Sequence, residues 1–529
     1  MADEQGATAQ TQDRRRYPRL IVSGDIAVLV PGVHPATPIS GKLLNVSLTG
    51  VSFEPATQHA LQLGDSATFV WTPNPAVGYT RKPRAYKLTG QVVRITPDGL
   101  LGIRFHKLIP EQIQRVDTRP QRMAAVVMAG VLALLITLLK IHNVVYYWWA
   151  PMVNTYSILV CTYIFARVAI SMFYREPADW GFTPGVSVIV CAKNEEHHIR
   201  ETVEHIFSSR YPAEQMEVLV IDDGSTDRTW EVLTGLSGRY PRLRLFRHEI
   251  NKGKRYAMAL GAQEARQEIL VYIDSDSLVD AEGIYRMVQP FHDKAVGAVA
   301  GEISVMVEKD NFFSKMEIVR YQISQRVIKA SESLFNAVTC CSGPLAAYRR
   351  VSVLRVLPAW LNQTFAGERT TFGDDRSLTN FILRTHRVVF HHGAICRTYV
   401  PRHWKTFFRQ QLRWKKSWAR EAMIACTFMW RKHPMAAVPF YLGILVTLCS
   451  PLVALRALFY LPVFLSVSSF PYIFGLALIN FLLASVFFYY TRSRYWPYLL
   501  AFVTLYILAL SWQTYYAIVT IPRSHWGTR

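Results

Sequence analysis

The sequence predicts a multidomain membrane protein: a small β-barrel, a soluble α/β domain on a mostly parallel sheet, and an α-helical transmembrane region with an interfacial helix. Three observations carry that class. Hydrophobic residues make up 50% of the 529 and are gathered into long blocks near residues 123–173 and 437–520. Residues 12–115 are a series of short β-like runs cut by Gly and Pro. Residues 184–400 alternate near-continuous apolar runs with polar, helix-like stretches.

Taken in order, residues 1–11 are polar and read as a disordered tail, with no cleavable secretory signal expected. In 12–115 the runs RLIVSGDIAVLV, GKLLNVSLTGVSFE, SATFVWT, YKLTGQVVRIT and GLLGIRFHKL are strand-like, with turn residues between them, as in a small barrel. The region 120–175 holds two spans, about 123–139 and 151–173, each close to the ~20 residues a crossing needs. In 184–400, VSVIVCA, EVLVID, EILVYID and AVGAVAGEISV are apolar throughout, as strands buried on both faces are. EEHHIRETVEHIFSS and TDRTWEVLTGLSG lie between them, which favours a parallel arrangement. Residues 401–430 (WKTFFRQQLRWKKSWARE within them) are basic and aromatic at helical spacing, the signature of a helix lying in the membrane interface. Three apolar blocks, 437–467, 469–490 and 495–520, complete a spanning region of 437–521 ahead of a tail, 522–529. If that tail shares a side with the α/β domain, the crossings must be even in number. The long block 437–467, with Pro451, Arg456 and Pro462, is then expected to fold as a hairpin or to lie partly in the interface.

A net charge of +21 raises nucleic acid as a partner. The Lys and Arg residues cluster beside the spans instead, at 14–19, 119–122, 402–420 and 492–494, as the positive-inside rule and anionic lipid require. Without a nucleic-acid motif, membrane lipid is the expected partner and nucleic acid is not. The seven cysteines show no metal-ligand spacing, and adjacent Cys340 and Cys341 suit a reduced, cytoplasmic setting.

Three carboxylate pairs carry the chemistry. Asp222–Asp223 and Asp274–Asp276 end apolar runs, and Asp374–Asp375 lie in FGDDR. Open α/β sheets bind ligands at the carboxyl ends of their strands. A DxD at such an end points alternate carboxylates at one site and suits a divalent metal with oxygen ligands, which balances charge on a departing diphosphate. A single Asp at a strand end more often caps the next helix; three pairs in this order argue for chemistry.

VCAKNEE, IDDGSTD, NKGKRYA, DSD, CSGPLAAYRR, GDDR, QQLRW and WGTR together resemble the membrane-integrated, processive family-2 glycosyltransferases, the hyaluronan, chitin and cellulose synthases, over residues 184–529. The resemblance implies a GT-A type domain with these roles. Ala192, Asn194 and Glu195 border the nucleotide, Asp222 and Asp223 read the uracil, and Lys254 and Arg255 contact the diphosphate. Asp274 and Asp276 hold Mg²⁺ or Mn²⁺, with Asp274 also near the ribose, and Ser342, Gly343 and Pro344 line the acceptor site. Asp375, with Asp374 beside it, is the catalytic base, a step a positioned carboxylate can perform. Gln410, Arg413 and Trp414 form QxxRW, where Arg413 meets diphosphate charge and Trp414 offers a flat face to a sugar ring. Trp526 and Arg529 belong to a gating loop that excludes water.

Arg15 and Arg19 (RxxxR) with Asn45, Ser47 and Gly50 (NxSxxG) resemble the PilZ domain, which implies cyclic di-GMP as an allosteric activator. Guanidinium groups suit both phosphodiesters and guanine edges. The whole reads as a polysaccharide synthase of a bacterial inner membrane, with both domains cytoplasmic. It uses a UDP-linked sugar, such as UDP-N-acetylglucosamine with or without UDP-glucuronate, and exports a growing polysaccharide, with periplasmic export partners as further candidates. The alternatives are a non-processive transferase acting on a lipid carrier and a catalytically inactive cyclic di-GMP receptor.

Overall fold

A computed structural model of the chain describes residues 24–29, 39–47, 50–55, 66–73, 86–95, 101–105, 119–146, 151–306, 312–401 and 403–521. Two compact units divide at residue 123.

In the first unit six strands close into a barrel: β1 (Gly24–Leu29), β2 (Ile39–Ser47), β3 (Gly50–Pro55), β4 (Ser66–Pro73), β5 (Tyr86–Ile95) and β6 (Leu101–Phe105). The order is β1-β2-β3-β6-β5-β4, so no strand edge is left unpaired. GKLLNVSLTGVSFE is a hairpin of two strands, with Ser47 opposite Gly50. Val92 of β5 and Ile103 of β6, which face each other in register, are buried.

Helices α1 (Arg119–Tyr146) and α2 (Pro151–Met172) contain the two expected spans, Met123–Asn143 and Asn154–Met172. Beyond the α/β domain two more helices are long and apolar enough to cross a membrane, Pro434–Leu465 and Phe470–Thr491. The expectation of a hairpin in 437–467 is corrected: this stretch is helical from Pro434 to Leu465. A π-helical turn, Arg456–Tyr460, directly precedes Pro462, where the ring would otherwise clash with the carbonyl of Leu458 four residues back. The break falls instead in the last apolar stretch, where Tyr498–Leu510 and Gln513–Val519 meet at 44°. All seven cysteines are free thiols.

The α/β domain is built on an eight-stranded sheet. Its strands are β7 (Val186–Ala192), β8 (Met216–Asp223), β9 (Leu243–His248), β10 (Ile269–Asp274), β11 (Ser277–Val279), β12 (Val296–Val305), β13 (Ala346–Arg349) and, after the small hairpin β14 (Thr364–Phe365) and β15 (Glu368–Arg369), β16 (Arg387–Thr398). The order is β11-β16-β12-β13-β10-β7-β8-β9. Strands β7, β8 and β10 are mutually parallel, as their apolar runs implied, and β9 (LRLFRH) joins them parallel to β8. The sheet is mostly parallel, as expected: six of its eight strands run the same way, with β13 reversed between β10 and β12 and β11 reversed beside β16. Val188, Val190, Val218 and Val220 pack on one face, and Ile189, Leu219, Ile221 and Leu270 on the other. Burial on both faces explains why these runs lack polar alternation.

The reversed strand places the site. Tyr272 pairs with Ala346, so the chain entering β13 passes the carboxyl end of β10 and sets Ser342–Pro344 beside Asp274. Helix α3 (Lys254–Glu264) starts behind β10, and α4 (Asp374–Leu383) starts with the GDDR carboxylates. A helical rod crosses the front: α5 (Phe312–Ile323), a π-helical turn (Ser324–Lys329) and α6 (Ala330–Ser333). The basic, aromatic segment is α7 (Trp404–Cys426), inside the expected 401–430.

Candidate active site

A cavity of about 1050 Å³ lies between the carboxyl edge of the sheet, the rod and α7. Asp274, Asp276, Lys254, Ser342, Gly343, Pro344, Asp374, Asp375, Gln410, Arg413 and Trp414 all line it. Five sequence motifs therefore meet at one hollow. Its wall continues to Thr447, Phe502 and Tyr506 in the apolar C-terminal helices.

Asp274 ends β10, and Asp276 follows in the turn to β11. Asp276 accepts a weak bond from the hydroxyl of Ser277 at 3.3 Å. Lys254, at the start of α3, sets its ammonium against Asp274 Oδ1. Burial opposes that ammonium, but the charge and hydrogen bond of Asp274 outweigh it and raise the lysine pKa above its ordinary value. Asp274 thus already holds a cation. Gly343 lies against the same carboxylate: a Cβ there would sit 2.9 Å from Asp274 Oδ2, so only glycine leaves the carboxylate uncovered. Two hard oxygen donors with bare backbone beside them fit a divalent cation. No group of three or more His, Cys, Asp or Glu forms a complete metal cage among the described residues.

Asp375 is half-buried at the first turn of α4, and its Oδ1 accepts the Arg376 amide at 2.8 Å. Its Oδ2 lies 3.8 Å from Cys340 Sγ. Asp374 does something else. It is buried and takes Arg255 Nε on Oδ1 at 2.8 Å, while Arg255 also donates to the carbonyl of Trp360 at 3.1 Å. Arg255, expected on the diphosphate, is turned away from the cavity and buried beneath its floor. From α7, Arg420 and Glu421, both buried, reach the same loop: Arg420 Nη2 donates to the Phe372 carbonyl, and Glu421 accepts from Asn380 of α4 at 2.9 Å. Gly373 has φ +74°, and a Cβ on it would lie 2.0 Å from Ser417 Oγ. Helix α7 is thus seated directly on the loop that presents Asp375.

Of the QxxRW residues, Trp414 carries the guanidinium of Arg320 over its ring at 4.7 Å. Arg320 donates to Gln411 at 3.1 Å and lies 3.3 Å from Glu317, a fully buried carboxylate whose pKa burial raises although Arg320 opposes the shift.

Asp222 and Asp223 are placed differently from expectation. Both are buried, two strands away from Asp274, and neither lines the cavity. Asp222 accepts the Ser225 amide at 3.1 Å and lies 3.1 Å from Arg247 Nε. Asp223 accepts the amides of Lys252 (3.0 Å) and Gly253 (2.8 Å) and sits 2.7 Å from His248 Nδ1. Backbone donors hold them to the turn they begin. Ala192 is buried at the end of β7, in register with Asp222. Asn194, at φ +55°, donates its amide to Ser225 Oγ (2.9 Å) and accepts the Thr226 amide (2.9 Å), and the Glu195 amide donates to Thr229 (2.8 Å). These residues knit the turn after β7 to the turn after β8.

Trp526, Arg529, Arg15 and Arg19 lie outside the described residues. Asn45 and Ser47 lie on β2 and Gly50 begins β3, at one end of the barrel. The rod, with Arg320, Tyr321 and Lys329, also lines the cavity although none of the quoted motifs falls on it; Cys340 precedes CSGP and Arg376 ends GDDR. Basic residues recurring in one helical stretch, Arg320, Arg326 and Lys329, were the available signal.

Residues 187–357 match the model of glycosyl transferase family 2, and residues 13–118 match the PilZ domain. A hyaluronan synthase of Streptococcus pyogenes is 30% identical over 283 residues, 52% of this chain and 66% of that protein. An N-acetylglucosaminyltransferase of Rhizobium meliloti (strain 1021) is 32% identical over 265 residues, 50% of this chain and 62% of that protein. The matched segment thus spans just under two thirds of these curated relatives. Among solved structures, the mannosyltransferase PcManGT from Pyrobaculum calidifontis in complex with GDP-Man and Mn²⁺ aligns at 21% identity with a TM-score of 0.46, covering 71% of this chain and 98% of that one. With its apolar helices, the chain is a membrane protein that joins a family-2 glycosyltransferase domain to a PilZ domain.

Proposed function

We propose that the chain is a processive, inverting polysaccharide synthase that transfers sugar from a UDP-linked donor to a growing chain at the cytoplasmic face of a bacterial inner membrane, exports the product and is activated by cyclic di-GMP. One observation carries this reading. A single cavity holds the Asp274–Asp276 pair, Asp375 and QxxRW and continues to Phe502 and Tyr506 of the apolar helices. Its volume, about 1050 Å³, suits a sugar nucleotide with the end of an acceptor.

In this reading the nucleotide lies along the turns after β7 and β8. Asn194 and Glu195 shape that edge, and Asp222 and Asp223 hold the turns rather than touch the base. Asp274 and Asp276 would hold Mg²⁺ or Mn²⁺, which supplies positive charge for the leaving diphosphate. Lys254 adds a cation at the same place. The acceptor hydroxyl, positioned by Ser342–Pro344 and the Trp414 face, attacks the anomeric carbon opposite the diphosphate. As the new C–O bond forms and the old one breaks, Asp375 Oδ2 takes the hydroxyl proton. Backside attack gives inversion. Arg255, Asp374, Arg420 and Glu421 hold Asp375 in place through α4 and α7. The tail with Trp526 and Arg529 would close over the nucleotide. The NxSxxG hairpin, with Arg15 and Arg19, would take cyclic di-GMP.

The test uses the purified full-length chain with a panel of UDP-sugars, measuring UDP release and product length with and without cyclic di-GMP. Sustained release and long polymer, both raised by the dinucleotide, are expected. A single lipid-linked sugar would replace this reading with the non-processive one. Absence of turnover under every condition would leave an inactive receptor.

A further inference from the structure

The second span carries a charge that the proposed mechanism does not use. Arg167 lies inside the span Asn154–Met172, about 8 Å along the axis from the end of α2. A guanidinium kept at the inner face for its charge alone would reach out to the headgroups. This one is 4% exposed and turned inward. Its Nη1 donates to Ser331 Oγ at 2.8 Å and its Nη2 lies 3.6 Å from Glu332 Oε1, both on α6, the last turn of the rod. Glu332 is itself buried, and its Oε2 accepts the Thr339 amide at 3.0 Å. Thr339 opens the strip that passes the carboxyl end of β10 on its way into β13. From the same turn Ser333 Oγ accepts the Phe390 amide of β16 at 2.9 Å, while Tyr174, just beyond the span, donates to the Phe390 carbonyl at 2.7 Å. One short turn thus joins the span, the strip and the sheet.

A buried ion pair is a costly way to hold two helices together. Apolar side chains of the same volume would do so at less cost, and what the charged pair adds is a single register. Close packing does not fix that register here, because a hollow of about 190 Å³ lies beside the pair, walled also by Tyr163, Phe440 and Gly443. We infer that Arg167 is a positioning residue for glycosyl transfer: through Glu332 it sets the second span against the end of the rod, and so holds the strip 339–344 in place at the carboxyl edge of the sheet. The inference needs only the transferase activity of the family-2 domain; the UDP-linked donor used to test it rests on the synthase reading.

The experiment compares the full-length wild type in lipid nanodiscs with Arg167→Met, Arg167→Lys and a double variant, Arg167→Met with Glu332→Gln. UDP release, thermal midpoint and amide hydrogen exchange are measured on each. Arg167→Met is expected to lower kcat about 10- to 100-fold, the scale on which a displaced reacting group acts, with donor KM held within about twofold. Exchange in peptides covering 339–344 should quicken while β7 and β8 stay protected. Arg167→Lys should keep most of the turnover, since its ammonium still meets Glu332. The double variant leaves no orphaned buried charge, so its midpoint should return while kcat stays low. It also carries the comparison should the single Met variant fail to fold. Turnover that returns with the midpoint overturns the inference, because Arg167 would then only stabilise the fold. So does an Arg167→Met variant with unchanged kcat and unchanged exchange in the strip, or one whose loss lies in donor KM. If wild-type protein releases UDP from no donor, the synthase reading fails alone, and exchange in the strip decides this one.

Discussion

Two Asp pairs stand at the ends of parallel strands that flank β7, and they do opposite things. At the end of β8, Asp222 and Asp223 are 0% and 3% exposed, and the protein's own donors occupy their oxygens. At the end of β10, the Asp274 side chain is 24% exposed and Asp276 lies in the cavity wall. Both pairs follow an apolar strand and precede a turn. What separates them is the segment that crosses each strand end. Over β8, Gly224 at φ +68° folds the chain so that residues 251–253 lie on the carboxylates. Over β10, the strip to β13 passes with Gly343, which has no side chain to lay down. The contrast separates a carboxylate that shapes the site from one that serves it. It turns on the partner segment, which is distant in sequence in both cases.

The largest effect that could break this contrast is on turnover. Asp375→Asn should lower UDP release by about 10²–10⁴-fold, the usual contribution of a positioned base, with the thermal unfolding profile little changed. Asp223→Asn should retain most of the turnover. Equal losses in the two variants would end the distinction. The next effect is on stability. Arg255→Met leaves Asp374 charged and buried, at a cost of about 3–5 kcal/mol, read as a drop in thermal midpoint. Adding Asp374→Asn should restore part of it, because the orphaned charge goes. A smaller loss, about 1–3 kcal/mol, is expected for Asp223→Ala, which strands the amides of Lys252 and Gly253.

Much of the architecture could be read from the sequence because burial on both faces leaves a strand no polar position, and a spanning helix no charge. Strands β7, β8, β10 and β12 and both early spans were legible for that reason. The reversed direction of β13 was not, since AAYR carries no mark of which way it runs. That reversal brings Ser342–Pro344 to Asp274, so their neighbourhood was reachable only through resemblance. Arg255 follows Lys254 in one motif, yet a helix turns adjacent residues about 100° apart: one faces the cavity and the other Asp374. Of the two readings of 437–467, a hairpin or a partly interfacial segment, the hairpin failed because a π turn ahead of Pro462 absorbs the proline without reversing the chain.

The finest test uses the two glycines. Gly224 sits in left-handed backbone, and a Cβ there would lie 2.7 Å from the Asn251 amide nitrogen, a backbone atom that cannot swing aside. Gly224→Ala should therefore cost about 1–2 kcal/mol from handedness alone, and more from the contact, and should appear as lost stability. Gly343→Ala meets only the carboxylate of Asp274, at 2.9 and 3.1 Å, and its backbone carries no such strain. The carboxylate must yield, which moves the donor proposed to hold the metal while leaving the core intact. The expected result is an unchanged thermal midpoint with a requirement for Mn²⁺ or Mg²⁺ raised about tenfold, the scale on which disturbed ligand orientation acts. If Gly343→Ala instead unfolds early and keeps its metal requirement, the strip over β10 is a structural clamp like the one over β8, and the two strand ends are alike after all.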